Sequence, residues 1–486
     1  MMHKNRKKPV YLFSSTPTNR RDELRRRAKR GDQRTVTVFM VILYLFALIS
    51  LIIPLRPTYS ELEQRNLTQF PTPTLATLSN GEFFEGVNTW FADTFPFREQ
   101  FMKLETGVTN LYGFKSAHIV GDVGQADEIP DAPMVDNGSD SSADLSGDAS
   151  ASTPAQPDAS GDTSQGAAAP NDNTTIPEID KDAKSETFGA VLVIDDAAYE
   201  YYNFDQNAAN SYIKMMNKTA KKLAGKANLY DLIVPTSMDV CVPESVRSGL
   251  NTSSQEKAIA YIYGSMNEGV HSIQVLDSLI KHNANGEYVY FRTDHHWTAL
   301  GAYYAYEQFC QASGQTPVPL DRFTKVEYDN FHGSFYRDTK SAALEKHPDT
   351  IVAYVPPSSN AIDITNMDGS KLAWNVVADV TTWDSTAKYS TFIGGDNPFS
   401  VINNPKMNNG KSVLLIKESF GNAFAPFLVE NYENVYIVDY RYIKNVDQRS
   451  LTQMVDKYNI SDVLFVNNVS AVRNESAVKL MSDFVG

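Results

Sequence analysis

From residue 188 onward, short apolar runs alternate with longer segments in which apolar residues recur at helical spacing. Runs such as 228–234 and 412–416 predict strands, and amphipathic stretches such as 207–223 and 299–312 predict helices. Strands separated by helices of about 10 residues imply right-handed crossovers in a parallel sheet. The pattern therefore predicts an α/β fold over residues 187–486, a three-layer sandwich with a mostly parallel sheet. Further strands are predicted at 189–194, 288–291, 434–438 and 462–466, and further helices at 257–263, 274–282, 421–430 and 448–458.

Two different segments precede this domain. Residues 56–121 contain apolar side chains at helical spacing, which predict an extracytoplasmic amphipathic helix that packs on the main body. Residues 122–186 contain no aromatic side chain and carry 15 acidic against 2 basic residues. Such a segment buries too little apolar surface to offset the entropy lost on ordering, so a disordered acidic insertion is predicted. The apolar positions of the predicted helix are Phe83, Phe84, Val87, Trp90 and Phe91.

An uncharged apolar run of 21 residues spans 35–55. It is long enough to cross a bilayer core of about 30 Å, whereas the apolar region of a signal peptide has only about 7–15 residues. No small-residue cleavage site follows it. Residues 1–34 carry 12 Lys and Arg against 3 Asp and Glu, and such basic flanks stay in the cytoplasm. We therefore expect a single-pass protein of the cell membrane with its main domain outside the cell.

Composition excludes several other classes. The formal net charge of −14 argues against general nucleic-acid binding. Two cysteines, Cys241 and Cys310, are too few for a disulfide framework or a zinc site built from cysteines. They can pair with each other or remain small buried residues, and the sequence leaves both possibilities open.

Ligands of parallel sheets bind at the carboxyl ends of the strands, and a serine, a histidine and an acid fall at these ends. Ser419 follows the strand at 412–416 and precedes a predicted helix. Asp294 and His296 are two residues apart, so in an extended segment both face one side while His295 faces the other and supports packing. Nucleophilic catalysis by serine needs a hydroxyl, a neutral imidazole and a carboxylate that orients the imidazole. These residues are therefore candidates for a catalytic set.

Other interpretations of these residues stay open at this point. Serine is a favoured helix N-cap, so Ser419 can be structural. Asp294, His295 and His296 can instead ligate a metal, or serve only packing. Asp439 and Arg441 can form an ion pair at the rim of the site. Further candidates for binding the substrate or its oxyanion are Asn422, Asn467, Asn468, Trp297 and Arg441.

Two stretches resemble a known family: TDHHWTALGAYYAY (293–306) and LLIKESFGNAFAPFL (414–428) are similar to the DHHW family of bacterial surface proteins. That family resembles the SGNH hydrolase-like superfamily, alongside the alginate O-acetylation proteins. The resemblance covers most of the chain outside 1–55 and 122–186. It implies that Ser419 is the nucleophile, His296 the base and Asp294 its orienting acid, without metal or cofactor.

The leading hypothesis is a membrane-anchored extracytoplasmic serine O-acyltransferase or acylesterase that acts on a cell-envelope polysaccharide. Acetyl is the expected acyl group. For a transferase, a membrane protein that exports the activated acyl group is an expected partner, together with the polysaccharide. One alternative is a non-catalytic glycan-binding or assembly protein on a hydrolase-like scaffold. A metal-dependent hydrolase is the other.

Overall fold

The computed structural model describes residues 37, 40, 41, 44, 59–60, 65–74, 77–78, 81–95, 117–133 and 189–486. Two compact units divide the chain, one within residues 1–101 and the other within 102–486. In the described part of the chain, no helix is both long and apolar enough to cross a membrane. The predicted cytoplasmic segment 1–34 and nearly all of the predicted anchor 35–55 lie outside the described residues, so the anchor and its topology stay predictions.

The first unit contains the predicted aromatic helix, α1 (Glu82–Asp93). Phe70 packs edge-on against Trp90 of this helix with ring centroids 4.8 Å apart. The Asp93 carboxylate accepts hydrogen bonds from the backbone N–H and the hydroxyl of Thr68, at 2.8 and 2.9 Å. The helix at this position is confirmed, and its packing on the main body stays a prediction. Two short antiparallel strands precede it, β1 (Tyr59–Ser60) and β2 (Arg65–Asn66).

The second unit alternates strands and helices, as the hydrophobic pattern predicts. Its described strands are β3 (His118–Val120), β4 (Val191–Ile194), β5 (Ala197–Glu200), β6 (Asn228–Val234), β7 (His271–Ser272), β8 (Thr324–Phe331), β9 (Asp349–Val355), β10 (Ala361–Thr365), β11 (Lys371–Asn375), β12 (Phe399–Asn403), β13 (Ser412–Lys417), β14 (Asn434–Asp439) and β15 (Asp462–Asn468). Its described α-helices are α2 (Gln206–Leu223), α3 (Ser237–Cys241), α4 (Glu244–Arg247), α5 (Gln255–Gly264), α6 (Leu276–Ala284), α7 (Ala299–Ala312), α8 (Ser334–Thr339), α9 (Ala342–Lys346), α10 (Phe420–Leu428), α11 (Ile443–Val446), α12 (Leu451–Tyr458), α13 (Val469–Val472) and α14 (Glu475–Val485). Two 3-10 turns complete them, Leu320–Arg322 and Lys388–Thr391.

The main sheet has eight strands in the order β11-β10-β12-β14-β13-β15-β6-β7. From β14 to β7 all pairings are parallel, whereas β11, β10, β12 and β14 pair antiparallel. The sheet is therefore mixed rather than mostly parallel, which corrects the prediction. Strands β10 to β12 come from the turn-rich region before β13, where no helical crossovers separate them.

Helices cover both faces of this sheet. Alternate residues of β13 face opposite sides: Val413 and Leu415 join one buried cluster, and Leu414 and Ile416 join another. The first cluster contains side chains of α7 and α10, and the second contains those of α2, α5, α12 and α14. All six residues of β13 are buried, as expected for a parallel strand covered on both faces.

The segment that precedes β4 differs from its prediction at one end. Residues 122–133 of the predicted insertion are described and run along the second unit. Asp127 donates its backbone N–H to the Phe204 carbonyl and accepts the N–H of Gln206, both at 2.9 Å, and Ile129 packs against the second apolar cluster. These contacts hold a stretch whose composition predicts disorder, and the rest of the insertion, 134–186, lies outside the described residues.

A carboxyl group is buried within the second cluster. Asp231 of β6 is fully buried and accepts a hydrogen bond of 2.6 Å from the Tyr212 hydroxyl of α2. Burial raises the pKa of Asp231 to about 7, although the bond from Tyr212 acts in the opposite direction. The folded protein therefore favours the neutral acid at this position.

This burial predicts a stability that falls as the pH rises. Because the folded-state pKa lies above the unfolded one, Asp231 destabilises the fold progressively from pH ~4, by about 3 kcal/mol between pH 5 and pH 8. Asp231→Asn retains an acceptor for Tyr212 and carries no charge. The difference in free energy of unfolding between this variant and wild type should therefore shift in favour of the variant by about 3 kcal/mol from pH 5 to pH 8. Urea unfolding at both pH values measures the difference. The exposed control Asp277→Asn should follow wild type, and equal pH dependence in Asp231→Asn and wild type would contradict the assignment.

Candidate active site

Ser419 lies at the carboxyl end of β13, in the turn that starts α10. Its backbone is already helical, with φ −58° and ψ −24°, so strand and helix meet with no loop between them. A Cβ on Gly421 would lie 2.4 Å from the Cβ of Lys417, so only glycine fits where the helix passes the end of the strand. Ser419 therefore lies in a sharp turn between the strand and the helix that the sequence predicts on either side of it.

The hydroxyl of Ser419 does not cap the helix. None of the helix N–H groups donates to its Oγ; the Phe420 N–H is instead bound by the Glu418 carboxylate at 3.0 Å. Ser419 Oγ lies 2.7 Å from His296 Nε2. This geometry separates the two interpretations of the serine, because a structural N-cap would direct its oxygen to the helix backbone.

His296 connects the serine to a carboxylate. Its Nδ1 lies 2.5 Å from Asp294 Oδ1, which also accepts the backbone N–H of His296 at 2.9 Å. An ionised carboxylate only accepts hydrogen bonds, so Nδ1 carries the proton and Nε2 is left as an acceptor for the serine hydroxyl. The structure therefore brings Ser419, His296 and Asp294 into one hydrogen-bonded chain, the order that serine catalysis uses.

The local structure around Asp294 differs from the one predicted. Residues 288–291 are not a strand of the sheet, and the backbone bends through 292–296, closed by a bridge between Tyr290 and Trp297. The prediction that Asp294 and His296 share the face of an extended segment is therefore wrong in its geometry. The two side chains meet because one carboxylate oxygen binds both donors of His296 within a tight turn.

Asp294 is held in place from the opposite side by α8. Its Oδ2 accepts the Ser334 N–H at 2.8 Å, and a Cβ on Gly333 would lie 2.1 Å from the Asp294 Cβ. Burial raises the pKa of Asp294, but the neighbouring His296 charge and hydrogen bond, His295 and the Ser334 N–H outweigh it and hold the pKa well below its ordinary value. The carboxylate thus stays ionised over the pH range in which proteins are usually studied.

His295 does not point away from the site, which is a second correction. Its ring centroid lies 3.7 Å from that of His296, and its Nδ1 is 2.6 Å from the Ser334 hydroxyl. Single ligand atoms of Asp294, His295 and His296 lie within 4.8 Å of one another, so the three can approach one metal ion. Such an ion would compete with the His296 hydrogen bonds to Asp294 and Ser419, and the arrangement fits the serine relay with fewer changes.

Tyr389 covers the imidazole of His296. Their rings stack with centroids 3.9 Å apart and an angle of 11°, and the Tyr389 hydroxyl donates to the Ser419 carbonyl at 3.2 Å. One side chain therefore contacts both the base and the backbone of the nucleophile. Sequence analysis did not find this residue, because it comes from a 3-10 turn in a region without clear periodicity.

Glu418 was also missed. One of its carboxylate oxygens accepts the Phe420 N–H and lies 3.1 Å from Ser419 Oγ, whose proton points to His296 Nε2. The other oxygen accepts the Asn468 N–H at 2.8 Å. It therefore ties the end of β13 to the end of β15. A carboxylate directly before the serine at a strand end is a signal that the sequence does contain.

A buried charge cluster lies beneath the turn. The fully buried Lys417 donates to Asp396 and Asp439 at 3.0 Å each, and Arg441 lies 2.8 Å from Asp396 and 2.7 Å from Asp439. Burial lowers the pKa of Lys417, but the two carboxylates outweigh this and raise it above its ordinary value. Burial raises the pKa of Asp396, but the charges of Arg441 and Lys417 outweigh burial and hold that pKa well below its ordinary value. Lys417 and Asp396 therefore keep their charge.

The structure gives contacts for most of the other predicted site residues. The Asn422 side-chain N–H₂ donates to Asp396 at 2.9 Å, and Trp297 Nε1 donates to the Phe420 carbonyl at 2.9 Å from a fully buried position. Asn468 Oδ1 caps α13, and Arg441 forms the predicted ion pair with Asp439. Asn467 is fully buried on β15. That these asparagines bind an oxyanion at Ser419 stays a prediction.

Neither cysteine forms a disulfide. Cys241 and Cys310 are free thiols, and Cys310 is fully buried in the first apolar cluster. Burial raises the pKa of both to about 12. Of the two possibilities that the sequence left open, pairing is not found; Cys310 is a small buried residue, and Cys241 is partly buried against the same cluster.

Known structures share this fold. A DHHW family protein from Eubacterium siraeum is 27% identical with a TM-score of 0.52, and the match covers 61% of this chain and 96% of that one. Bacillus cereus PatB1 with a sulfonyl adduct is 20% identical with a TM-score of 0.51, covering 61% and 98%. The O-acetyltransferase domain of Pseudomonas putida AlgJ is 13% identical over 60% and 98%, but its TM-score of 0.32 is too low for an argument.

The sequence itself gives the family. None of the curated proteins compared with the chain matches it. The sequence model of the DHHW protein family matches residues 63–438, which is more than half of the chain and includes Asp294, His296 and Ser419. The chain therefore belongs to the DHHW protein family.

Proposed function

We propose that this protein is a serine O-acyltransferase or acylesterase that acts on a cell-envelope polysaccharide, with acetyl as the acyl group. The observation that carries the proposal is the continuous hydrogen-bonded chain from Ser419 Oγ through His296 to Asp294, at 2.7 and 2.5 Å. The first distance lies within the range expected of a nucleophile and its base, and the second is that of a short, charge-assisted hydrogen bond between the base and the group that orients it. A scaffold that only bound glycans would not need this order of groups.

In the first half of the reaction, Ser419 Oγ attacks the carbonyl carbon of the acyl donor while His296 Nε2 takes its proton. The resulting imidazolium is stabilised by the ionised Asp294. The tetrahedral intermediate then expels the donor's leaving group, which takes the proton from Nε2. The acyl group remains as an ester on Ser419.

In the second half, an acceptor hydroxyl takes the place of the leaving group. His296 Nε2 removes its proton as the oxygen attacks the acyl carbon, and Ser419 Oγ leaves and recovers the proton from the imidazolium. A sugar hydroxyl as acceptor gives transfer, and water gives hydrolysis. The same residues serve both outcomes, so access of sugar or water to the ester decides between them.

The location of the protein belongs to the same proposal. An anchor at 35–55 would hold the domain at the outer surface of the cell membrane, close to envelope glycans. A transferase at that place needs an activated acyl group from inside the cell, and therefore a membrane protein that exports it.

If the three residues act as a unit, their substitutions are not additive. Ser419→Ala and His296→Ala should each reduce turnover of a chromogenic acetate on the order of 10³–10⁶-fold, and the double variant should be scarcely worse than either. Steady-state rates of the four proteins measure this, with circular dichroism as the check of folding. The exposed Lys479→Ala serves as a control that keeps full activity.

Two results would reject this mechanism. A folded Ser419→Ala that keeps full acyl transfer or hydrolysis would exclude the serine. A rate restored by added metal and abolished by a chelator, with His295→Ala and His296→Ala equally damaging, would establish the metal site instead.

His296 makes the reaction depend on pH, and Tyr389 shifts the pH at which the rate falls. kcat/KM should fall as the pH drops through the titration of the imidazole, ordinarily near pH ~6.5, because only neutral His296 accepts the serine proton; Asp294 stays ionised and adds nothing to this limb. An aromatic face stabilises the imidazolium by about 0.5–1 kcal/mol. Tyr389→Leu should therefore move the fall of kcat/KM at low pH, the acid limb of the profile, about half a pH unit lower.

Tyr389→Phe is the matched control, since it keeps the stacked ring and loses only the hydroxyl. Its acid limb should coincide with that of wild type even if its rate is lower. A Leu variant with an unshifted limb would show that Tyr389 serves packing only. The pH profiles of kcat/KM for the three proteins decide between these results.

A further inference from the structure

A cavity of about 600 Å³ lies beside the candidate active site, within the size range of small-molecule sites. Glu418 and His295, which contact Ser419 and His296 respectively, form part of its wall. Group transfer requires a second substrate next to the serine, and this cavity adjoins it. Twelve of its fifteen lining residues are polar or charged; apart from those just named they include Arg441, Asn468, Asn474 and Ser476.

The two arginines of this wall are paired within the protein. Glu200 pairs with Arg473 at 3.3 Å and also accepts the Ser470 hydroxyl at 2.8 Å. Arg441 pairs with Asp439 and Asp396. The Glu418 carboxylate accepts the Phe420 and Asn468 N–H groups, and the Asp205 carboxylate caps α2 by accepting the Ala208 N–H at 2.8 Å.

Both guanidinium groups of this wall, those of Arg441 and Arg473, are thus already paired with carboxylates. Glu475 lies at the rim, exposed at the first turn of α14, where solvent screens its field. An anionic ligand would therefore lose its hydration in the cavity without gaining a counter-charge, which is costly. Hydroxyl groups can instead donate to the carboxylate and amide oxygens and accept from the guanidinium groups, with no net charge to compensate.

The wall also offers no long apolar side chain for an acyl chain to pack on, because its three lining residues without a polar side chain are Gly189, Ala471 and Ala477. We propose that this cavity is the acceptor subsite and that it takes an uncharged sugar unit in preference to uronic acids or phosphorylated sugars. This inference rests on the proposed function, because the bound sugar is an acceptor only if its hydroxyl receives the acyl group from Ser419.

Binding to the full chain carrying Ser419→Ala, solubilised in detergent, tests the inference without turnover. The probes are two tetrasaccharides of equal length: fully N-acetylated chitotetraose, which is neutral, and tetragalacturonate, which is anionic. Calorimetric titration should give a Kd for the neutral probe on the order of tenfold below that of the anionic probe. Tighter or equal binding of the anionic probe, or no binding of the neutral one, would overturn the inference.

A second variant locates the binding. Ser476→Trp places a large ring at the cavity and should weaken the neutral probe on the order of tenfold, whereas Lys479→Trp, one turn further along α14 and outside the wall, should not. Equal Kd values in the two variants would place the sugar elsewhere and overturn the inference. The proposed function is tested separately by the rates of the serine-intact protein, so a failed subsite and a failed mechanism give different results.

Discussion

The turn that carries Ser419 depends on the neutralisation of one buried cation. Lys417 ends β13 with no exposed surface, and an ammonium group in that position is tolerated only when carboxylates surround it. Asp439, at the end of the neighbouring strand, and Asp396, from a loop before β12, meet this requirement. Asp396 also binds the side chain of Asn422 on the first turn of α10. The cluster thus fixes the positions of β14, α10 and the loop relative to the strand that carries the nucleophile.

The hydrogen-bonded pair Asp294 and His296, which faces Ser419, is positioned by a local turn and not by the sheet. Asp294 Oδ1 accepts from both the backbone and the ring of His296, and the second oxygen is bound by the N–H of Ser334. Tyr389 then closes over the imidazole and reaches the carbonyl of Ser419. Two regions more than a hundred residues apart in sequence therefore meet with hydrogen-bonding distances that leave little freedom for the histidine ring.

Hydrophobic periodicity was sufficient to predict the elements buried on both faces. The strands around 228–234, 412–416 and 462–466 and the helix at 299–312 were predicted within a few residues of their actual bounds, because covered parallel strands are continuous apolar runs. The antiparallel strands β10 and β11 lacked this signal, since their exposed positions interrupt the pattern. Residues 288–291 have the composition of a strand, yet the chain is irregular there. A short apolar run alone therefore does not distinguish a strand from an irregular buried segment.

The candidate site was predictable in part for the same reason. Ser419 could be found because it ends a clear strand, and Asp294 and His296 because they resemble a family motif. Tyr389, Ser334 and Asp396 could not, because their roles arise from long-range packing that leaves no spacing in the sequence. Glu418 could have been noticed beside the serine, but its link to Asn468 needs the pairing of β13 with β15.

The central claim is that His296 activates Ser419 as a nucleophile, and covalent labelling tests it most directly. The full chain would be treated with a fluorophosphonate at neutral pH, digested, and the modified peptide identified by mass spectrometry. The account predicts one adduct, on Ser419, formed much more slowly in His296→Ala, because a serine without its base is a weak nucleophile. Labelling of another residue, or equal rates of labelling in wild type and His296→Ala, would contradict it.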